Sequence, residues 1–194
     1  MGLTKIARPE RVPVEIVDLR RWINWLDDDS THDPELERLA EDATETVERH
    51  VRRALITQSW QWTTDRASVF EVPRPPIQSV TSVRVFDRDD QPTVVDPSDY
   101  LLLADRSPAV IVMDRDYQWP ELRDHEPVEI TFVTGFGDAA SDVPRSYRTA
   151  IMQIVAFEFE HRGDRDIDMP KHIRAKLRGL AAGTTAGFFA GKMG

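Results

Sequence analysis

The sequence predicts an α+β fold: a small helical bundle with an inserted antiparallel β region, sandwich- or barrel-like, and an extended C-terminal tail. Three observations predict it. Apolar residues recur at helical spacing over 33–54 and again over 144–162. Between them, residues 57–134 hold many short β-type runs with closely spaced Pro- and Asp-rich turns. Such turns favour local antiparallel pairing, because parallel strands need far longer connections. Beyond residue 170 the acids stop. Lys171, Arg174, Lys176, Arg178 and Lys192 give that segment +5 in a 194-residue chain of net charge −9, which leaves −14 for residues 1–170.

Taken in order, residues 1–13, with Pro9 and Pro13, read as an extended N-terminal arm, and the body spans 14–163. Leu19, Trp22, Ile23 and Leu26 stand at i, i+3, i+4 and i+7 and predict a helix over 17–27, broken by Asp27-Asp28-Asp29. Asp33 offers an N-cap, Pro34 suits the first helical position, and Glu35 suits the first turn of a helix over 33–54. Its apolar stripe is Leu36, Leu39, Ala40, Ala43, Val47 and Val51. Glu37, Arg38, Glu41, Glu45, Glu48 and Arg49 lie opposite, a face for water or a neighbouring subunit.

In the β region, Trp60 and Trp62 share one face of a strand, and a short strand follows at 69–72. Pro73, Pro75 and Pro76 remove three backbone donors, so that segment is an edge, a corner or an extended connection. Strands are expected over 80–86, 93–95, 100–103, 109–113 and 128–134, the last with Val128, Ile130 and Phe132 alternating. Gly135-Phe136-Gly137 leaves the sheet, and its glycines read as turn residues needing open φ/ψ space. Pro144 opens the helix over 144–162, with Tyr147, Ile151, Ile154, Val155 and Glu158 on one face. The remainder, 164–194, is an acidic linker, a short basic helix carrying Ile173, Leu177 and Leu180, and a tail containing Phe188 and Phe189.

No arrangement of catalytic residues emerges. Cysteine is absent, which excludes disulfides and thiolate ligands. The five histidines, His32, His50, His125, His161 and His172, show no metal-ligand spacing. A calcium loop begun at Asp27 would put His32 and Arg38 where a glycine and a closing glutamate belong, and one begun at Asp164 fails at Met169 and Ala175. Gly135-Phe136-Gly137 is too short for a dinucleotide fingerprint, and no Gly-x-Ser-x-Gly occurs. No cofactor is expected. Five tryptophans are candidate base-stacking platforms, but sparse arginines and abundant acids favour packing roles. An acidic body repels a phosphate backbone, whereas the basic segment fits an acidic protein partner, nucleic acid or water. The start carries no apolar signal core, and no stretch approaches the ~20 apolar residues of a membrane span.

Several short runs follow one another along the chain: Asp33-Pro34-Glu35-Leu36, then Arg53-Ala54-Leu55-Ile56-Thr57-Gln58-Ser59-Trp60, Pro73-Arg74-Pro75-Pro76-Ile77, Asp99-Tyr100, Trp119-Pro120, Thr134-Gly135-Phe136-Gly137-Asp138, Val143-Pro144 and Glu160-His161-Arg162. Read together, they closely resemble the head–tail connector (adaptor) proteins of tailed phages and prophages, a family that also occurs in gene transfer agents. Order and spacing carry the likeness across roughly 14–165. The resemblance implies a non-enzymatic virion structural protein: a subunit of a ring, usually twelve-fold, bound to the portal protein and to its own copies. The ring would extend the DNA channel without sequence-specific DNA binding and present a platform for a stopper or tail protein. Its expected place is the neck of a virion or gene-transfer-agent particle assembled in a bacterial host cytoplasm, with no membrane partner. The resemblance assigns portal binding to Lys171, Arg174, Lys176, Leu177, Arg178, Leu180, Phe188 and Phe189. It gives structural roles to Arg53, Leu55, Thr57, Gln58, Trp60, Pro73, Pro75, Pro76, Gly135, Gly137 and Pro144. The alternatives are a stopper or tail-terminator neck protein, a nucleic-acid-binding module using the basic tail, and a small hydrolase with a dispersed site.

Overall fold

Helical spacing and strand alternation sort the chain into two units, each with its own core. The computed structural model describes residues 2–25, 30–106, 108–162 and 168–186. A β unit comprises Met1–Pro9 and Thr57–Gly135, and a helical unit comprises Glu10–Ile56 and Phe136–Gly194. The β region is thus an insertion in the helical part, as the sequence implies. Residues 2–7, read as part of an extended arm, are extended but paired as a strand of the β unit.

The helical unit contains α1 (Ile16–Trp22), α2 (Asp33–Val51), α3 (Arg145–Glu160) and α4 (Lys171–Ala186). Leu36, Leu39, Ala40, Ala43, Val47 and Val51 of α2 meet Tyr147, Ala150, Ile151, Ile154, Val155 and Phe159 of α3 in one core. Ile173 and Leu177 of α4 belong to that same core, with Leu180 packed against it. Burial of a leucine such as Leu177 favours the docked helix by about 1.5–3 kcal/mol. α4 is therefore a structural helix of this unit, and removing residues 171–194 would uncover the α2–α3 core.

Three local readings change. α1 ends at Trp22, short of residue 27, because Asn24 adopts a left-handed φ of 59° and closes a Schellman motif. Trp25 N donates to Arg20 O at 2.8 Å and Asn24 N to Arg21 O at 3.2 Å. Trp22, expected on the apolar face with Leu19, is exposed. Asp33 is not the N-cap of α2. The preceding residue holds that place, and the Asp33 carboxylate forms a two-pronged ion pair with Arg20, 2.7 Å at the Nε–Oδ1 contact. Glu48, placed on the outward face, is 5% exposed and accepts from Leu55 N at 2.8 Å. It ties the segment after α2 back to the helix, where Arg52 turns the chain at φ 54°.

The β unit contains β1 (Gly2–Ala7), β2 (Gln58–Thr64), β3 (Val69–Glu71), β4 (Ile77–Phe86), β5 (Pro92–Val94), β6 (Tyr100–Leu103), β7 (Val110–Met113) and β8 (Val128–Thr134). One sheet has the order β1-β2-β8-β4-β5 and the other β3-β7-β6, every pairing antiparallel. Both sheets feed one core, Trp60, Trp62, Val83, Val85, Ile130 and Phe132 meeting Phe70, Ile111 and Met113, so the arrangement is a sandwich. The five-stranded sheet ends at β1 and β5, so no barrel closes. On its other face Glu129 is buried in register with Thr63 and Arg84, its carboxylate held by Arg84 and Gln61.

Candidate functional site

Residues singled out in the sequence fall into two groups, one inside the units and one on their surfaces. The inside group builds the places where the chain leaves one unit for the other. Within the helical unit, Phe136 N donates to Leu55 O at 2.9 Å, and Ile56 bridges Gly137 in a parallel pair. Within the β unit, Gln78 Nε2 donates to Thr57 Oγ1 and to Gly135 O, each at 2.9 Å. Leu55, Gln58 and Trp60 are buried, Arg53 and Thr57 half-buried.

The proline corner follows from what proline lacks. Pro73, Pro75 and Pro76 have no N–H, yet their segment still offers carbonyls. Thr134 Oγ1 donates to Pro76 O at 2.6 Å and also contacts Arg74 O, and Gly135 N donates to Pro76 O at 2.9 Å. Arg74, at φ 61°, sends its guanidinium over the Trp60 ring 5.2 Å from the centre, and Lys5 Nζ lies 5.3 Å from it. Gly135 has a φ of 129°, reserved for glycine. Gly137 is glycine for a different reason: a Cβ there would stand 2.3 Å from Asp142 Oδ2, the atom that accepts from Ala139 N. Pro144 is the exposed residue at the N-cap of α3.

Among the described residues assigned to the portal, the fold separates two faces of α4. Leu177 is fully buried and Leu180 half-buried, whereas Lys171, Arg174 and Arg178 are exposed. Lys176 is half-buried, and desolvation holds its ammonium pKa below the usual lysine value. Phe188 and Phe189 lie outside the described residues. The β unit has a further surface that sequence reading passed over. Val69, Val112 and Leu101 are aligned across β3, β7 and β6, with Leu101 60% and Val69 49% exposed. Alternation within each strand hinted at this row, but only the pairing register aligns it.

An open depression of about 610 Å³ is lined by Arg88, Asp90, Arg123, Asp124 and His125. Its central guanidinium is occupied: Arg123 reaches Asp90 at 2.9 Å and Glu126 O at 2.7 Å, and stacks 4.4 Å from the Phe86 ring centre. Among the described residues, no three or more His, Cys, Asp or Glu side chains converge as a metal site, and no helix is long and apolar enough to cross a membrane.

No protein-family model matches the chain, and no curated protein matches it. Solved structures do. A chain in the virion of a native gene transfer agent (GTA) particle superposes with a TM-score of 0.76 at 21% identity, covering 93% of this chain and 95% of that one. A chain in the neck of an empty GTA particle, computed with C6 symmetry, gives the same values. A third, in the neck of a native GTA particle computed with C12 symmetry, gives 0.70 at 22% identity, covering 93% and 94%. The fold is that of a GTA neck chain. The match runs through both units, so the β insertion and the helices belong to one shared architecture.

Proposed function

We propose that this chain is a structural subunit of a head–tail neck: a ring-forming connector that adjoins the portal, continues the DNA channel and joins the capsid to the tail. The observation that carries the reading is the end-to-end fold match to GTA neck chains, one of them in a neck computed with C12 symmetry. Twelve copies form the ring. The motif residues support it by their position. Leu55 is tied to Phe136 within the helical unit, and Thr57 and Gly135 are tied to Gln78 within the β unit.

Charge supports the same reading. A body at −14 does not grip a phosphate backbone, which suits a channel that lets DNA pass. The work is mechanical, with no reaction or cofactor. Leu177 is spent on the helical core, so portal attachment does not run through that side chain. Of the neck roles, the adaptor directly beneath the portal is favoured over the stopper by the run of connector motifs from Asp33 to Arg162.

Electron microscopy of purified portal mixed with the full-length chain tests this. The expected result is a twelve-fold collar of added density below the portal. Portal rings left unchanged at saturating concentrations, with the chain binding isolated tails instead, would exclude the adaptor role.

A further inference from the structure

The helical unit carries two outward stripes of opposite charge that do not meet within the chain. On α4, Lys171, Arg174 and Arg178 are exposed, with Ala175 and Gly179 leaving the backbone open between them. On α2, Glu37 and Glu41 are exposed. The other charges on that face are matched locally, Arg38 with Asp42 at 3.0 Å and Arg49 with Glu45 at 3.6 Å. Among the described residues, no ion pair reaches Glu37, Glu41, Lys171 or Arg178. Arg174 engages Met169 O at 2.8 Å and Asp168 at 3.5 Å, two of its five N–H donors.

We infer that the basic face of α4 docks on the acidic face of α2 in a second copy of this chain, forming the side-to-side contact of the ring. The inference rests on the ring reading above and names the surface that reading leaves open. Three arguments select a second copy as the occupant. A ring needs a heterologous contact, two different patches on one subunit, and these stripes are such a pair. Their spacing matches: Glu37 to Glu41 and Arg174 to Arg178 are each four residues, about 6 Å along a helix axis. Helices laid side by side therefore bring both acids to both guanidiniums at once, and Ala175 and Gly179 permit the close approach. Finally, twelve acidic bodies repel one another unless cations enter the interface. Residues 171–194 are an acid-free cationic segment that can supply them.

Charge exchange tests the docking in assembled particles. One variant carries Arg174→Glu with Arg178→Glu, a second carries Glu37→Arg with Glu41→Arg, and a third carries all four. All four substituted positions are exposed, and circular dichroism checks that each variant folds. The amount of chain retained in purified particles should fall about tenfold or more in each two-site variant, because like charges then face each other. The four-site variant should recover it, and retention should be salt-sensitive, as exposed pairs are. Loss with the α4 reversal, no loss with the α2 reversal and no recovery in combination would overturn the inference, leaving the portal or DNA as the occupant. Full retention in both two-site variants would overturn it as well. Wild-type chain missing from the necks would remove the ring reading itself, and this contact with it.

Discussion

In the helical unit, the side chains of each core stripe stand three or four positions apart on one helix, as Leu36, Leu39, Ala40 and Ala43 do on α2. In the β unit the decisive partners are distant: Trp60 pairs with Phe132, and Thr134 reaches Pro76 across 58 positions. Among the described residues each unit buries one carboxylate, Glu48 held by Leu55 N and Glu129 by Arg84 and Gln61, but the helical unit also leaves long charged faces outside. The difference teaches a division of labour. The helical unit offers faces on which subunits can meet, and the β unit is a sandwich with a braced proline corner.

The largest perturbations should come from the two cores. Phe132→Ala should destabilise the β unit by about 3–5 kcal/mol and Leu177→Ala the helical unit by about 2–5 kcal/mol. Urea unfolding followed by tryptophan fluorescence and by helical circular dichroism measures both. If Leu177→Ala changes neither signal, α4 is a detachable tail and the contrast drawn here fails. Next comes the proline corner. Thr134→Val keeps the shape but strips the hydroxyl from the carbonyls of Arg74 and Pro76, and should cost about 1–3 kcal/mol in the same titration.

Two smaller effects sharpen the helical side. Arg52 turns the chain out of α2 in the left-handed region, so Arg52→Gly should stabilise by about 0.5–1 kcal/mol, read as a raised thermal midpoint. Glu158 is half-buried on α3, and desolvation, with the Asp42 charge adding, raises its carboxyl pKa above the ordinary glutamate value despite Arg38. A raised folded pKa means the folded state is favoured below the ordinary glutamate value and loses that advantage as pH rises through the shifted one. Glu158→Gln should therefore stabilise at neutral pH by at most about 0.5 kcal/mol, since water screens a half-exposed group, and should change nothing at pH 3.

Much of this architecture was readable from the chain because local rules govern it. The apolar stripe of α2, the alternation of Val128, Ile130 and Phe132, and the turn residues around β5 each encode their element within one window. What escaped reading depends on partners far away or on a single dihedral. Asn24 ends α1 by entering the left-handed region, a signal present in the residue type but masked by the apolar Ile23 and Trp25 beside it. Asp33 looked like a cap until Arg20 claimed it, and Glu48 looked solvated until Leu55 N needed an acceptor. Of the surfaces, the basic stripe of α4 was legible as charge. Its helical phase was needed to separate the exposed Arg174 and Arg178 from the buried Leu177.

One measurement bears on the central claim more directly than any variant: a cryo-electron microscopy map of the intact neck, averaged with twelve-fold symmetry. Both units of this chain should fit a ring between portal and tail, with α4 of each copy against α2 of the next. A neck whose density excludes this fold, or a ring in which α4 faces solvent while the sheets make the contacts, would contradict it.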